Sequence, residues 1–294
     1  MQIEKDTQLC ISVAARPSNF GTTIHNAVFR KLGLNFIYKA FGITDIAGAV
    51  VGVRALGIRG CSVSMPFKES VVPYLDEVDP IAARVSAVNT VVNTSGHLIG
   101  FNSDVYGAQC VLAHIKDLSS KRVVLLGTGG VAKAILHALR ELGAEDVLVV
   151  GRTLAKADAL CEKLGCRAVR WEERHGLAGE VLINATPVGM EPNRNECPVD
   201  ENVVARFSTI MDVVVSPAES RLLRTARLLG KEPIAGYRMS LYQAAKQFQL
   251  YTGVEAPLEV MEAALMNYLR SSRKIALPHS RVANGAISIP RERP

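Results

Sequence analysis

The stretch from Arg122 to Leu142 constrains the fold more than any other part of the chain. Arg122-Val123-Val124-Leu125-Leu126 is an apolar run short enough for a buried strand, Gly127-Thr128-Gly129-Gly130-Val131-Ala132 follows it, and Ala134 to Leu142 has helical apolar spacing. A G-x-G-x-x-A turn between a strand and a helix is the phosphate-binding turn of a dinucleotide fold. Gly127 permits the tight turn, Gly129 lets a pyrophosphate approach the backbone, and Ala132 keeps the helix close to the sheet. The helix N-terminus adds free amides and the positive end of its dipole. Thr128, Gly130 and Val131 complete this candidate cofactor-binding turn.

The next strand, Val147 to Val150, ends in Gly151-Arg152-Thr153, with Lys156 one turn later. An NAD site places an acidic residue at this strand end to hold the ribose 2′-hydroxyl. Here Arg152 and Lys156 supply positive charge and Thr153 a hydroxyl, which suits the extra phosphate of NADP. Cations disfavour a helix N-terminus unless an anion joins them. Two further strands, Val181 to Ile183 and Thr209 to Val215, run into Asn184-Ala185-Thr186-Pro187 and Ser216-Pro217. Both turns fall at the carboxyl edge of a parallel sheet, where open α/β sheets bind ligands.

Upstream, strands at Leu9 to Val13, Asn35 to Ala40 and Ile58 to Val63 alternate with helices at Thr22 to Leu32 and Ile46 to Leu56, the pattern of a parallel sheet with crossover helices. Gly33 and Gly57 follow the helical stretches, where a left-handed cap is needed. Ala87 to Asn93 and Leu98 to Phe101 flank Ser95-Gly96 as a hairpin. A helix from Asp104 to about Leu118 then leads into the nucleotide-binding pattern, and two packing helices, about Ser240 to Tyr251 and Leu258 to Arg270, close the chain. With 294 residues, 48% hydrophobic and 21% charged, there is room for two cores. The fold class expected is α/β in two domains, one of them of Rossmann type, with a cleft between them.

Composition excludes several functions. The amino terminus carries Glu4, Lys5 and Asp6 with no apolar region behind it, and no stretch is apolar enough to span a bilayer, so a cytoplasmic protein is expected. Six cysteines without a C-x-x-C pair read as reduced, buried thiols, and six scattered histidines lack metal-ligand spacing; neither disulfide nor metal is expected. Of the net charge of +6, four charges lie in Ser271 to Pro294, with Arg273, Lys274, Arg281, Arg291 and Arg293 against Glu292. That segment has Pro278, Pro290 and Pro294 and no helical periodicity, and reads as a basic flexible tail over 273–294, not a nucleic-acid surface.

Two polar clusters precede the nucleotide pattern. Lys68 lies in Ser64-Met65-Pro66-Phe67-Lys68-Glu69, and Asp104 in Asn102-Ser103-Asp104. An ammonium and a carboxylate beside a dinucleotide can manage the proton of an alcohol while hydride leaves its carbon. Taken alone, Lys68 reads as a surface lysine and Asp104 as an N-cap of the helix it opens.

Taken together, the segments from Leu9 to Arg270 resemble the shikimate dehydrogenase family. Ser64 to Glu69 resembles its V-P-F-K block, Ala87-Val88-Asn89-Thr90 its A-V-N-T block, and Gly100-Phe101-Asn102-Ser103-Asp104 its G-x-N-T-D block; Gly127 to Ala132, Arg152-Thr153, Ile183 to Thr186 and Gln243-Ala244-Ala245 follow in order. The resemblance implies reversible NADP-dependent oxidation of the 3-hydroxyl of shikimate to 3-dehydroshikimate, a step of aromatic amino-acid biosynthesis. It implies Lys68 and Asp104 as the catalytic pair, Asn89 and Gln243 on ring hydroxyls, and Met239 in the nicotinamide pocket. Asn184, Ala185, Thr186, Val213 and Gly236 join the implied cofactor set. It also implies a substrate domain of 1–104 plus 238–272, an NADP domain of 105–237, and a monomer or homodimer acting on a small cyclitol carboxylate, with no nucleic-acid or membrane partner.

Three positions depart from the family pattern. Asn19-Phe20-Gly21-Thr22 stands where the family has S-x-S-P, whose hydroxyls bind the substrate carboxylate. Ser62-Val63-Ser64 replaces N-V-T, and Val215 replaces a tyrosine. This set resembles the divergent, shikimate dehydrogenase-like branch. Asn19, Thr22, Thr23 and Ser64 are the donors available to rebuild carboxylate recognition. Two other readings follow: the same chemistry on quinate or an aminoshikimate, and an NADP-binding regulator without catalysis.

Overall fold

Strand β1 (Gln8–Ala14) is built from the first apolar run and pairs in parallel with β2 (Phe36–Gly42) and β3 (Gly60–Val63). The crossovers are helices α1 (Phe20–Leu32) and α2 (Ile46–Ala55). Gly33, at φ 65°, ends α1 in a left-handed cap that a residue with a Cβ adopts only under strain. After β4 (Glu77–Val78) and α3 (Pro80–Val85), strands β5 (Thr90–Thr94) and β6 (His97–Phe101) form the expected hairpin. Its turn residues, Ser95 and Gly96, both have positive φ, which matches the twist of the flanking strands. The first sheet runs β2-β1-β3-β5-β6-β4, with β5 antiparallel to both neighbours. The structure, a computed structural model, describes residues 2–274, with only the backbone over 271–274.

Helix α4 (Ser103–Leu112) leads to a second sheet formed by β7 (Val123–Leu126), α5 (Gly130–Glu141), β8 (Val147–Gly151), α6 (Leu154–Leu164), β9 (Arg167–Arg170), β10 (Val181–Asn184), α7 (Glu201–Val204), β11 (Thr209–Asp212), α8 (Arg221–Leu228) and β12 (Glu232–Ala235). Its order is β12-β11-β10-β7-β8-β9, and every pair is parallel. All residues of β7, β8, β10 and β11 are buried, as a sheet covered by helices on both faces requires. The strand order reverses between β7 and β10, so the ligand crevice of such a sheet opens at their carboxyl ends.

Helices α9 (Gly236–Thr252) and α10 (Leu258–Lys274) return to the first sheet. Gly236 starts α9 against the backbone of Asp212 and Val213, where any Cβ would collide, and Tyr251 in its last turn packs on Gly60 of β3. Between them α9 lies on α4, where a Cβ at Gly107 would meet the Met239 carbonyl at 2.6 Å. Phe248 and Tyr251 of α9 and Met261 and Leu265 of α10 share one core with Ile24, Val28 and Phe29 of α1. The second core surrounds β7 and α5 and takes in Val105, Ala108 and Leu112 of α4.

Several details differ from the sequence expectations. Cys161 and Cys166, expected to be free thiols, are joined in a disulfide. Gly165 ends α6 in a left-handed cap and turns the chain back, so the two Cα atoms come within 4.5 Å despite the five-residue spacing. Helix α4 stops at Leu112 because the chain tightens into 3₁₀ turns that carry Ile115 and Leu118 into the core. Strand β11 ends at Asp212, whose carboxylate takes the Val214 N–H and bends the chain out of the ladder. Helix α10 continues to Lys274, past the expected start of the tail at 273; the remainder, from 275, lies outside the described residues. Among the described residues no helix is long and apolar enough to cross a membrane.

Candidate active site

Lys68 follows β3 and Asp104 sits in the first turn of α4, 36 residues later. The fold brings Lys68 Nζ within 2.5 Å of Asp104 Oδ2, with the side chains only 13% and 5% exposed. The competing role for Asp104, capping α4, is taken by Asn102, whose side-chain oxygen accepts from the Asp104 and Val105 amides. The Asp104 carboxylate is thereby left to Lys68. A buried pair of this kind is a charge-assisted hydrogen bond in a low-dielectric setting, able to stabilise negative charge developing on a nearby oxygen.

Asn89 is fully buried one strand away. Its Oδ1 accepts from the Ser103 amide at 2.8 Å, from Ser103 Oγ at 3.1 Å and from Thr90 Oγ1 at 2.8 Å. Its Nδ2 is buried and has no partner in the protein. Three donors on one end fix the amide, so the free end is a donor waiting for an acceptor. Gln247, overlooked in the sequence, is 3% exposed and donates into the same cluster, to Thr90 Oγ1, Ser62 Oγ and the Asn89 carbonyl. The signal for it was its spacing: Gln247 lies four residues after Gln243, a polar side chain on the inward face of a helix.

The other expected substrate residues are placed less uniformly. Gly21 lies under Tyr38, and a Cβ there would meet the ring at 2.9 Å. Thr22 Oγ1, in the first turn of α1, is buried without a partner. Asn19 is exposed and makes no side-chain cap bond; Ser64 and Gln243 are half-buried, Ser64 in the turn that carries Lys68 and Gln243 facing Gly107 on α4.

A cleft of about 820 Å³ runs from Lys68 along Gly127, Thr128, Gly129, Gly130 and Val131 to Arg152, Thr153 and Lys156, with Ala185 and Thr186 on its far wall. Gly127 has φ +117° and would press a Cβ to 2.9 Å from the Ala185 carbonyl, whereas a Cβ at Gly129 would meet nothing within 4 Å. Glycine is thus required for the turn at Gly127 and leaves open space at Gly129. Ala132 is fully buried against the sheet. Arg152, Thr153 and Lys156 are exposed at the start of α6, and among the described residues no carboxylate pairs with either cation. Open backbone at a helix N-terminus, flanked by unpaired cations, fits a dinucleotide phosphate and a second phosphate on its ribose. Glu69 and Lys133 bridge the cleft at 2.7 Å, and Gly130 backs onto the Lys68 stem, so the cofactor turn abuts the lysine.

Four expected cofactor residues shape the cleft without lining it. Asn184 is fully buried and uses both ends of its amide internally: Nδ2 donates to Asp212 Oδ1 and the Val188 carbonyl, while Oδ1 accepts from Thr186. Its contribution is to fold the 184–188 turn. Burial pushes the Asp212 carboxyl up to about 6, against the hydrogen bonds it accepts from Ser220, Val214 and Asn184. Val213 and Gly236 meet backbone to backbone behind that turn, and Met239 is buried in the core under α4.

Comparison with known proteins gives this geometry a family. Models described as shikimate dehydrogenase substrate binding domain, shikimate / quinate 5-dehydrogenase and shikimate 5'-dehydrogenase C-terminal domain match residues 19–91, 109–187 and 236–266. A shikimate dehydrogenase-like protein of Haemophilus influenzae is 41% identical over 85% of this chain and 92% of its own length. The shikimate dehydrogenase (NADP(+)) of Pyrococcus abyssi is 39% identical over 84% of this chain and 92% of its own. Among solved structures, a shikimate 5-dehydrogenase-like protein superposes with a TM-score of 0.83 at 38% identity, covering 92% of this chain and all of the other. The Thermus thermophilus shikimate 5-dehydrogenase, in complex with NADP(H) and shikimate, gives 0.80 at 33% identity over 88% of this chain and 99% of its own. With relatives this similar across most of its length, and with a buried Lys68–Asp104 pair opening onto a dinucleotide cleft, the chain belongs to the shikimate dehydrogenase family.

Proposed function

We propose that this protein catalyses the reversible, NADP-dependent interconversion of shikimate and 3-dehydroshikimate, a step of aromatic amino-acid biosynthesis. The observation that carries the reading is the buried Lys68–Asp104 pair at the end of the cleft, 2.5 Å apart and abutting the glycine turn. NADP, when bound, accepts the hydride from the carbon bearing the reacting hydroxyl. Lys68 donates to the reacting oxygen and stabilises its developing charge, while Asp104 orients Lys68 and the hydroxyl and shares the released proton. The free Nδ2 of Asn89 donates to a ring hydroxyl, and Gln243 holds a second. Thr22, with a buried and unpartnered hydroxyl, is the best-supported donor to the substrate carboxylate, with Asn19 and Ser64 as the other candidates.

In the same reading, residues 1–104 and 238–272 act as the substrate domain and 105–237 as the cofactor domain. The enzyme works in the cytoplasm as a monomer or homodimer. Initial rates with shikimate and quinate, each paired with NADP and NAD, test the proposal. The highest kcat/KM is expected for shikimate with NADP. A clear preference for quinate would overturn the substrate, and a preference for NAD would overturn the role of Arg152 and Lys156.

A further inference from the structure

Gln247 lies on α9, 158 residues from Asn89, yet its amide is inserted behind the substrate donor. Nε2 can only donate, and within its reach are Thr90 Oγ1 at 3.0 Å, Ser62 Oγ at 3.1 Å and the Asn89 carbonyl at 3.2 Å. The same side chain neighbours the imidazole of His25, which is stacked on Tyr38 at 4.5 Å between ring centroids. A backbone carbonyl only accepts, so the Gln247 amide is held with its nitrogen toward the cluster.

That orientation propagates. A Thr90 hydroxyl that accepts from Gln247 sends its own proton onward, to Asn89 Oδ1 at 2.8 Å or to Ser103 Oγ at 3.0 Å, which itself donates to the same Asn89 oxygen. Ser103 brings two more donors, its amide and its hydroxyl, to the same oxygen. With Oδ1 so occupied, Asn89 cannot flip without setting its amide hydrogens against the Ser103 N–H. Its Nδ2 is left buried, unpartnered and aimed away from the cluster.

We infer that Gln247 is a positioning residue: it sets the direction of a buried Gln247–Thr90–Asn89 hydrogen-bond chain and thereby presents the Asn89 amide nitrogen to the substrate. The inference rests on the reading of Asn89 as a substrate-binding residue. Ser62 faces Thr90 across the β3–β5 pair, so an amide placed at position 62 reaches the same acceptors and should restore the chain when Gln247 is removed.

The test compares wild type with Gln247→Glu, Gln247→Ala and the Gln247→Ala/Ser62→Asn double variant. One readout is the ¹⁵N–¹H signal pair of the Asn89 side-chain amide in the ligand-free protein, identified by its loss in Asn89→Asp. The other is kcat and KM for shikimate with NADP. Glutamate keeps the size of glutamine but only accepts when ionised, so a packing role survives that change and a directional role does not. Both single variants should shift the Asn89 amide signals and lower kcat/KM by about tenfold, the worth of one misdirected hydrogen bond. The loss should fall on KM for shikimate and leave KM for NADP unchanged, and the double variant should recover both readouts. Should Gln247→Ala fail to fold, Gln247→Glu decides alone. Wild-type Asn89 amide signals in Gln247→Glu would overturn the inference. If wild type does not oxidise shikimate, the substrate reading falls, while the amide signals still decide whether Gln247 directs Asn89.

Discussion

Replacing Lys68 by methionine keeps an unbranched stem to pack on Gly130 while removing the ammonium. At 2.5 Å, and with an effective dielectric of about 20, the Lys68 and Asp104 charges attract by roughly 7 kcal/mol, much of which offsets their desolvation. Removing one partner of such a pair costs about 3–5 kcal/mol, because the other stays buried alone. In the folded enzyme, the loss of a group acting on the reacting oxygen should lower kcat by about 10² to 10⁴-fold. The assay is NADPH formation at saturating shikimate and NADP, with thermal melting run in parallel. Asp104→Asn should lose rate in the same range, yet leave α4 capped, because Asn102 holds that cap. The Lys68→Met/Asp104→Asn pair should lose little more than the worse single variant, as residues acting as one unit do. A Lys68→Met enzyme that folds and keeps kcat within threefold of wild type would refute the assignment of Lys68.

Arg152→Ala with Lys156→Ala should raise KM for NADP by about tenfold or more and leave KM for NAD nearly unchanged, since each cation contributes a charge-assisted contact to the 2′-phosphate alone; parallel titrations of both cofactors check this. Denatured without reductant, the chain should expose four reactive thiols, Cys10, Cys61, Cys110 and Cys197, with Cys161 and Cys166 reacting only after reduction, as mass spectrometry after alkylation would read. Acid should destabilise the protein through His25, whose imidazole burial pushes from 6.5 down to about 3. Between those values the unfolded chain binds a proton that the folded chain does not, so this contribution to stability is full above pH 6.5 and is lost as pH falls toward 3. Asp212, raised to about 6, contributes the opposite slope between roughly pH 4 and 6, so the readout is a difference. His25→Phe, which preserves the stack on Tyr38, should show a smaller fall in Tm from pH 7 to 5 than wild type.

The cofactor half of the molecule was legible because its signals are local. A strand, a glycine turn and a helix adjoin in sequence, and Arg152 follows the next strand at once. The Lys68–Asp104 contact was not legible from spacing, since 36 residues and three sheet strands, β4 to β6, separate the pair; only the resemblance joined them. Asp104 also looked like a helix cap, and only the structure assigns that cap to Asn102. Gln247 was hidden for a different reason. Its helix reads as a packing element, and nothing in the local pattern says which strand a buried amide will meet. Cys161 and Cys166 were missed because their meeting depends on the left-handed turn at Gly165, which a count of spacings does not register.

Helix α9 sets an order for the making of the protein. Over 17 residues, about 25 Å, it begins on the second sheet at Gly236 and ends beneath the first at Tyr251. The first sheet is synthesised early and fills the core on one face from its own stretch, Ile11 to Leu98, but the side chains that close its other face, Phe248, Tyr251, Met261 and Leu265, come only after the whole second sheet. The second sheet, by contrast, draws almost all its core from one uninterrupted stretch. On a ribosome the nucleotide-binding half therefore completes first, while β1 to β3 wait with an open apolar face for the chain to return. A truncation that removes only α9 and α10 spares every residue of the glycine turn and still strips the first sheet of the core on one of its faces, so the first half of this enzyme depends for its folding on chain that follows the second.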